Sequence, residues 1–478
     1  ISGTTFVGKK GSTHAHEGGL LVDLRGAIRA LPIVLEITDC KFRNSQLYFA
    51  QLEEGPARLT MSISNNAIAK EEGVTFDGGS ISACGMGIHN LALLVLGPIV
   101  LKTSVGESNV TISNNTLLSE SVQQSTVAST AIRLCSDVQL AGSSYVRIED
   151  NNITVKGSTD VHGFLQGENA TNTFSHGAEM VLSGNNINVS CSNVNCNPDG
   201  IHFWRVRHKM TNGSAITVRN TTISMTSASN NPMVGLRFTG FGSENDTHII
   251  SLTDNSNVNL EDLRVEFTSS SVGASTDAVK YDAIRVVMEN KSSIDVNRLS
   301  VSGTNTNQFS RVFAHDFSDS PTVLTSGSTI SLRNIVVEGD FTDGYAAYWG
   351  GTESGATISS TFTDSQLHLE DVSLLLDKSD ANDNGGILLF FNDTANTWER
   401  SQLDCSNLVV KAHGTRQAAV IQFKGSNMTL RETQLLVDGV QLHHHTPITT
   451  DLVQSSVLQW TDTSTEWSDG SNITVRNI

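Results

Sequence analysis

The chain has 478 residues, of which 38% are hydrophobic and 17% charged, so it has enough apolar material for a core and does not have the composition of a disordered protein. Lysine and arginine number 31 against 49 acidic residues, and the resulting net charge of −18 argues against nucleic acid or an anionic membrane as the main partner. No apolar run approaches the roughly 18 residues that a membrane-spanning helix needs. The sequence therefore predicts no membrane span.

A motif of alternating apolar and polar residues, then a polar pair, recurs along the chain. After a partial opening copy, ISGTTF, it appears as LEITDCKF, MSISNNAI and SNVTISNNTL, and its last copy is SNITVRNI. From Val110 to Leu403 the copies are 34 to 42 residues apart and mostly 36, whereas the two spacings beside Met428 are 25 and 45. The first apolar residues of the copies, which we call anchors, are Leu35, Met61, Val110, Val146, Met180, Ile216, Val258, Ile294, Ile330, Leu367, Leu403, Met428 and Ile473.

The apolar residues within each copy alternate with a period of two, which indicates strands rather than helices. A third apolar run, such as AIRLCSDV or GILLFF, recurs between anchors, so each copy holds about three short strands. Units of this kind bury their apolar faces by stacking on one another. The sequence therefore predicts an all-β, right-handed parallel β-helix of about thirteen rungs of about 36 residues, continuous over residues 1–478. A β-propeller with short blades is the alternative.

The polar pair after the second apolar alternation is predicted to turn a corner of each rung. Asparagine tolerates left-handed backbone angles and bonds its own backbone, so it suits this position better than it suits a ligand site. The clearest pairs are Asn114–Asn115, Asp150–Asn151, Asn220–Thr221 and Glu432–Thr433.

Six cysteines are too few for a disulfide scaffold, but they fit occasional disulfides in an oxidising compartment. Cys191 and Cys196, in CSNVNC, are a candidate disulfide pair. The alternative is that both are small buried apolar residues.

Asn-x-Ser/Thr sequons occur at 12 positions, of which about nine are expected from composition alone, so their placement is more informative than their number. Asn109, Asn427 and Asn472 each precede an inward anchor, and strand alternation points them outward, as it does Asn152 and Asn188. The sequence predicts covalent N-glycans on an extracellular or cell-surface protein. The candidate acceptors are Asn109, Asn114, Asn152, Asn169, Asn188, Asn212, Asn220, Asn245, Asn290, Asn392, Asn427 and Asn472.

A search for catalytic residues finds no complete constellation. NPDGI (197–201) resembles one element of galacturonan hydrolases, but the companion acidic pair and basic motifs are absent, so Asp199 is interpreted as a turn residue. The run His443–His445 is interpreted as surface, because adjacent residues on a strand point alternately. We therefore predict no catalytic residue, no cofactor and no metal ligand.

A carbohydrate-binding or polysaccharide-cleaving β-helix is the alternative function. It would be favoured by acidic, basic or aromatic residues that cluster around GIHFWRVRHKM (200–210) and YAAYWGG (345–351). Trp204 and Trp349 are the residues of interest there. The competing interpretation is that both pack under loops.

Both ends of the sequence cut through a rung of the predicted helix. An open β-helix end exposes unpaired backbone and apolar core. We therefore expect either a longer chain or self-association end to end, as in a filament protomer.

The units LEITDCKF, LHLEDVSL and ISLRNIVV resemble those of the dispersed-gene-family surface proteins of kinetoplastid protists. The similarity covers the rhythm of nearly the whole chain and no diagnostic motif. It implies a long, N-glycosylated β-helical ectodomain, with no catalytic residues to carry over. Together these features predict a non-enzymatic extracellular structural or adhesive glycoprotein.

Overall fold

The computed structural model describes most of the chain as strands joined by short turns. None of the described residues forms a helix that could cross a membrane. The described residues are 1–7, 20–23, 32–53, 58–71, 90–101, 107–120, 128–167, 170–240, 249–269, 275–304, 310–317, 322–341, 343–351, 358–377, 385–413, 417–445, 454–468 and 470–478.

Two compact units, Ile1–Met233 and Val234–Ile478, divide the chain, and each is a parallel β-solenoid. The strands form three parallel sheets, which we call sheets A, B and C. Together the units contain about ten turns with rungs of about 36 residues. The predicted all-β solenoid is therefore confirmed, although the number of turns is slightly below the thirteen rungs predicted from the sequence. A single continuous domain stays a prediction.

The first unit contains strands β1 to β22. Sheet A holds β1, β3, β4, β6, β7, β10, β11, β14, β15, β18, β19 and β22; sheet B holds β2, β5, β8, β12, β16 and β20; sheet C holds β9, β13, β17 and β21. Their bounds are β1 (Thr5–Val7), β2 (Leu20–Asp23), β3 (Ile33–Thr38), β4 (Lys41–Arg43), β5 (Leu47–Glu53), β6 (Leu59–Ser64), β7 (Ala67–Lys70), β8 (Asn90–Leu96), β9 (Ile99–Leu101), β10 (Asn109–Ser113), β11 (Thr116–Glu120), β12 (Ala128–Leu134), β13 (Val138–Ala141), β14 (Tyr145–Glu149), β15 (Asn152–Gly157), β16 (Asp160–Gly167), β17 (Thr171–Ser175), β18 (Glu179–Ser183), β19 (Asn186–Cys191), β20 (Asn197–Trp204), β21 (Arg207–Thr211) and β22 (Ala215–Ser227).

The second unit contains strands β23 to β43, of which β23 begins at the last residue of the first unit. Sheet A holds β25, β28, β31, β34, β37, β40 and β43; sheet B holds β23, β26, β29, β32, β35, β38 and β41; sheet C holds the remaining seven. Their bounds are β23 (Met233–Thr239), β24 (Ile249–Leu252), β25 (Asn257–Ser269), β26 (Thr276–Asp282), β27 (Arg285–Met288), β28 (Ser293–Thr304), β29 (Ser310–Phe317), β30 (Thr322–Leu324), β31 (Thr329–Gly339), β32 (Asp343–Gly351), β33 (Ile358–Thr363), β34 (Gln366–Asp377), β35 (Gly385–Asn392), β36 (Thr394–Glu399), β37 (Gln402–His413), β38 (Gln417–Lys424), β39 (Asn427–Arg431), β40 (Gln434–His445), β41 (Gln454–Thr461), β42 (Ser464–Ser468) and β43 (Asn472–Arg476).

The anchors stack in register and form the core. In sheet A of the first unit, Val110 pairs with Val146, Val146 with Met180, and Met180 with Ile216. All four side chains are fully buried. Since residues in register on parallel strands share a face, one apolar residue per rung produces a continuous apolar ladder.

The first unit turns the corner within sheet A with an asparagine ladder. Asn114 and Asp150 adopt left-handed φ angles of 54° and are followed by the buried Asn115 and Asn151. Asn115 Nδ2 donates to Asn151 Oδ1 at 3.0 Å, and the Asn115 backbone N–H donates to the same oxygen at 3.0 Å. The same pair of bonds links Asn66 to Asn115 and Asn151 to Asn185. The predicted turn role is confirmed, and the second residue of each pair also fills the corner.

The second unit uses aliphatic residues at the equivalent corner. Asp262 and Arg298 are left-handed, as in the first unit, but the buried residues that follow them are Leu263 and Leu299. Without an amide in the corner, the two strand segments run on as single strands such as β25 and β28. Buried hydroxyls occupy the turn from sheet C to sheet A instead; for example, the Ser365 backbone N–H donates to Ser401 Oγ at 3.2 Å.

Met428 was wrongly identified as an anchor. It lies in β39 of sheet C, where it pairs with Asn396 and Thr465. The residue that pairs with Leu403 in sheet A is Leu435, which pairs in turn with Ile473. The anchor spacings therefore become 32 and 38 residues instead of 25 and 45. The error arose because SNMTLRETQLL carries the motif twice in succession, and alternation alone cannot tell the two sheets apart.

Replacement of one ladder asparagine should destabilise the first unit strongly. Asn151→Ala removes four hydrogen bonds and leaves the buried Asn115 N–H and Ile112 C=O without their partners. We expect a loss of about 3 to 5 kcal/mol in the free energy of unfolding. Chemical denaturation of non-glycosylated protein, followed by circular dichroism, measures it. The exposed neighbour gives the control, Asn152→Ala, with an expected change within about 0.5 kcal/mol. Equal losses in the two variants would contradict the role of the ladder.

Candidate functional site

In sheet B, the pairing between neighbouring strands is irregular, and the same irregularity recurs from rung to rung. Between β16 and β20, His162 pairs with Asp199 and Phe164 with Ile201, whereas Gly163 and Gly200 are left out of the register. A Cβ on Gly163 would lie 2.4 Å from Ile187 Cγ2 and 2.7 Å from the Gly200 carbonyl oxygen, so Gly163 faces the core and tolerates no side chain.

The residue after each unpaired position also faces the core. The Phe164 ring lies 5.6 Å from that of Phe203, and both residues are buried. Two consecutive inward positions mean that side chains three residues apart, rather than two, share the outer side of the strand. The side chains that point away from the core in this way form what we call the outer face of sheet B.

In the first unit, the outer face of sheet B carries a cluster of His162, Asp199 and His202. His202 Nδ1 lies 2.8 Å and His162 Nδ1 3.4 Å from Asp199 Oδ2. The side chain of Asp199 is 1% exposed and each imidazole 8%. The ligand-forming atoms of the three residues lie within 4.8 Å of one another, and no other such group of three occurs among the described residues. The cluster can share protons or hold a cation.

Asp199 was interpreted from the sequence as a turn residue, and this interpretation is wrong. It lies inside β20, in register with His162. The rule of two-residue alternation places His202 on the opposite face from Asp199, so this rule does not predict the cluster. The signal that could have found it is the alignment of VHGF with PDGI, since a glycine follows the polar residue in both segments.

Beneath the outer face, a second polar group lies inside the core of the first unit. Gln166 and Asn172 exchange two side-chain hydrogen bonds of 2.7 and 3.0 Å, and Asn172 Nδ2 donates to His208 Nδ1 at 3.2 Å. His208 is fully buried, and burial lowers its pKa to about 3. The Asn172 bond also requires a neutral imidazole. In a protonated ring Nδ1 carries a hydrogen and cannot accept a hydrogen bond.

In the second unit, the same face of sheet B carries a network of ion pairs. Arg311 binds Asp277 through two bonds of 2.6 and 2.9 Å, and Asp277 has no exposed surface. Lys280 Nζ lies 3.9 Å from Asp277 and 3.6 Å from Asp282, which also pairs with Arg237. Burial opposes ionisation of Asp282, but attraction to Lys280, Arg237 and Arg311 outweighs it and lowers the pKa of the carboxyl. The Asp282 carboxyl is therefore ionised.

An aromatic cluster adjoins these charges. The Arg311 guanidinium lies 5.0 Å from the centre of the Tyr348 ring. Tyr348 contacts Tyr345 and Phe390 at ring distances of 5.7 and 5.6 Å, and Tyr345 stacks on Phe390 at 5.3 Å. Tyr345 and Phe390 are buried, whereas Tyr348 is half-buried. Tyr348 and Arg311 are thus the members of the cluster that a ligand could reach.

The surroundings of Trp204 and Trp349 differ from those of Tyr348. Trp349 is fully buried and stacks 5.5 Å from Phe391 in the core of the second unit. Trp204 is half-buried, and the Arg205 guanidinium lies 5.0 Å from its ring. The stretches that contain them do contribute to the outer face of sheet B, but through His202, Tyr345 and Tyr348.

A cavity of about 500 Å³ lies in the second unit where strands β28, β31, β34 and β37 end. Glu338, Asp340, Lys411 and His413 border it. A molecule in this cavity would meet both signs of charge.

Most sequon asparagines in the described part of the chain are accessible. Asn188 and Asn392 are half-buried, and Asn169 and Asn245 lie outside the described residues. The exposed acceptors are Asn114, Asn152, Asn212, Asn220, Asn290, Asn427 and Asn472.

Asn109 is only 6% exposed, so its predicted outward accessibility is wrong. It is in register with Thr60 and Tyr145 on the neighbouring strands. Because residues in register share a face, Asn109 has the large Tyr145 as its neighbour on the next strand. Alternation gives the direction of a side chain but does not take account of the size of its neighbours.

Cys191 and Cys196 form a disulfide, with Cα atoms 6.0 Å apart. It closes the loop between β19 and β20, directly before the strand that carries Asp199 and His202. Cys135 is also disulfide-bonded, while Cys40 and Cys405 are buried free thiols.

No protein-family model and no curated protein matches the chain. Among solved structures, an alginate lyase of the PL6 family, AlyGC, is similar to it with 10% sequence identity and a TM-score of 0.12, over 96% of this chain and 100% of the lyase chain. A likeness at that TM-score carries no argument about activity. The functional interpretation therefore depends on the geometry described above.

The buried His208 should make the chain sensitive to acid. Unfolded histidine binds a proton near pH 6.5, whereas folded His208 does so only near pH 3, so the unfolded state binds more protons between these values and stability falls as the pH falls. Relative to His208→Gln, the wild-type free energy of unfolding should decrease by about 1.4 kcal/mol per pH unit below pH 6.5. Denaturant titrations from pH 7 to pH 4 measure the difference. His176→Gln, at an exposed position, is the control, and a difference between wild type and His208→Gln that does not vary with pH would refute the prediction.

Proposed function

We propose that the chain is a non-enzymatic, extracellular structural glycoprotein: a β-solenoid that presents N-linked glycans on its surface. The observation that carries the proposal is the exposure of seven sequon asparagines within the described residues. Attachment of a glycan requires an accessible side chain, and a bulky hydrophilic glycan is tolerated only at the surface.

The stacked ladders support a mechanical role for each unit. Buried amides bridge successive rungs in the first unit, and buried hydroxyls do so in the second. Within each unit, parallel backbone pairing also joins the described strands of successive rungs. The disulfide between Cys191 and Cys196 is compatible with an oxidising, secreted environment.

The resemblance to kinetoplastid surface proteins agrees with this proposal and stays a hypothesis, as does a location at the cell surface. Self-association end to end stays a prediction from the sequence. Electron microscopy of the glycosylated protein would test it: filaments would support association, and isolated particles at every concentration would oppose it.

Glycan mapping tests the main proposal. Protein secreted from a eukaryotic host should carry glycans at most of the seven exposed acceptors and none at the buried Asn109. Enzymatic deglycosylation in heavy-oxygen water, followed by peptide mass spectrometry, identifies the occupied sites. Asn472→Gln should remove one glycan, whereas the matched variant Asn109→Gln should leave the glycan mass unchanged. If none of the seven exposed acceptors carries a glycan, the proposal is overturned.

Carbohydrate binding by the second unit is a second candidate function, favoured by the juxtaposition of Arg311 and Tyr348 on the outer face of sheet B. Aromatic rings stack on sugar rings, and a cationic guanidinium attracts carboxylate groups. An acidic polysaccharide offers both features. The burial of Tyr345 and Phe390 restricts the accessible aromatic surface to Tyr348.

Affinity electrophoresis with polygalacturonate, and with a neutral β-glucan, tests this candidate. We expect polygalacturonate alone to retard the chain, and Tyr348→Ala to weaken the retardation about fivefold, which corresponds to about 1 kcal/mol. The matched control is Tyr145→Ala, which removes a ring that Arg147 covers at 4.1 Å in sheet A of the first unit. Absence of retardation, or equal weakening in both variants, would exclude this function for the cluster.

A further inference from the structure

We propose that His162, Asp199 and His202 form a binding site for a divalent transition-metal ion, with Zn²⁺ as the preferred occupant. The proposal concerns the first unit and is independent of the glycoprotein function. Two imidazole nitrogens and one carboxylate oxygen are donors that zinc commonly takes, and three protein ligands leave a fourth position for water or another molecule.

The two distances from the Asp199 carboxylate to the imidazole nitrogens are close to those that coordination requires. Zinc bonds of about 2.0 to 2.2 Å in a tetrahedral arrangement place ligand atoms about 3.3 to 3.5 Å apart. His162 Nδ1 and Asp199 Oδ2 are already 3.4 Å apart. His202 Nδ1, at 2.8 Å from the same oxygen, would move outward by roughly half an ångström to admit the ion. Small side-chain rotations therefore suffice.

The backbone holds the three ligands in place. His162 and Asp199 are paired in register on β16 and β20, and the unpaired Gly200 brings His202 to the same face as Asp199. Ligands on paired strands are more precisely positioned than ligands on loops. The disulfide at Cys191–Cys196 also restrains the segment that leads into β20.

The electrostatics favour a cation at this point. A carboxylate that is 1% exposed has lost most of its hydration, and a bound divalent ion compensates for that loss. In the ladder on this face, Arg133 pairs in register with Leu165, which pairs in turn with His202. An apolar side chain thus lies between Arg133 and His202 in the ladder.

The alternative is that the three residues only form an ion pair with shared protons. Imidazoles elsewhere complicate the measurement, because His443 and His445 are exposed and His413 lies 5.7 Å from His445 between ring centres. The experiment therefore uses the full chain without a polyhistidine tag and with His443→Ala and His445→Ala as the background.

Zinc binding to this background is measured by isothermal titration with ZnCl₂, and the zinc content after dialysis by mass spectrometry of the metal. We expect one zinc ion per chain, and affinity at least tenfold weaker in Asp199→Asn and in His202→Gln. The matched control is His368→Gln, which removes an imidazole that lies 3.3 Å from Glu370 and 3.4 Å from Asp404 at a more exposed site. Its affinity should stay unchanged.

Two results would overturn the proposal: no zinc bound to the folded background chain, or undiminished affinity in both cluster variants. Circular dichroism of each variant establishes that it is folded. Cobalt provides an independent measurement, since Co²⁺ in a tetrahedral site of nitrogen and oxygen ligands absorbs visible light strongly. We expect these bands in the background chain and their loss in His202→Gln, even if Asp199→Asn fails to fold. If the background chain shows no such bands after Co²⁺ is added, the result contradicts a tetrahedral site.

Discussion

In-register pairing between successive rungs is the constraint on which the rest of the structure depends. Equivalent residues of neighbouring strands lie about 4.8 Å apart on the same face, so each side chain is surrounded chiefly by its counterparts. An apolar residue is stabilised there by another apolar residue, and a buried amide by another amide that completes its hydrogen bonds. The Val110 ladder and the Asn115 ladder are two solutions to this single requirement.

The same constraint explains why unusual chemistry gathers on the outer face of sheet B. A residue left out of the pairing in one rung must be matched in the next, or the register would shift. Because the irregularity is matched, the outward-facing residues of neighbouring strands stay in register throughout the sheet. In the first unit these positions hold His162, Asp199 and His202, and in the second unit Asp277 and Arg311. A regular sheet would have placed His202 on the opposite face from Asp199, and Lys280 on the opposite face from Asp277.

The fold was largely predictable from the sequence, because it depends on a period that recurs many times. Alternation and spacing identified the strands and the corner at Asn114 without long-range information. The candidate site was not predictable, since the positions of Asp199 and His202 depend on which residue is left out of the pairing. The burial of Asn109 was missed for a related reason: it depends on neighbours in other rungs, such as Tyr145, which is 36 residues along the chain.

The asparagine ladder also has a direction. Each amide donates to the oxygen of the amide in the following rung, from Asn66 through Asn115 and Asn151 to Asn185, so the four dipoles point the same way. Aligned dipoles in a medium of low dielectric polarise one another, and each bond strengthens its neighbours. The corner therefore behaves as a cooperative unit rather than as separate contacts. Loss of Asn115 or Asn151 leaves one linked pair and one isolated amide, whereas loss of an amide at either end shortens the ladder by one link.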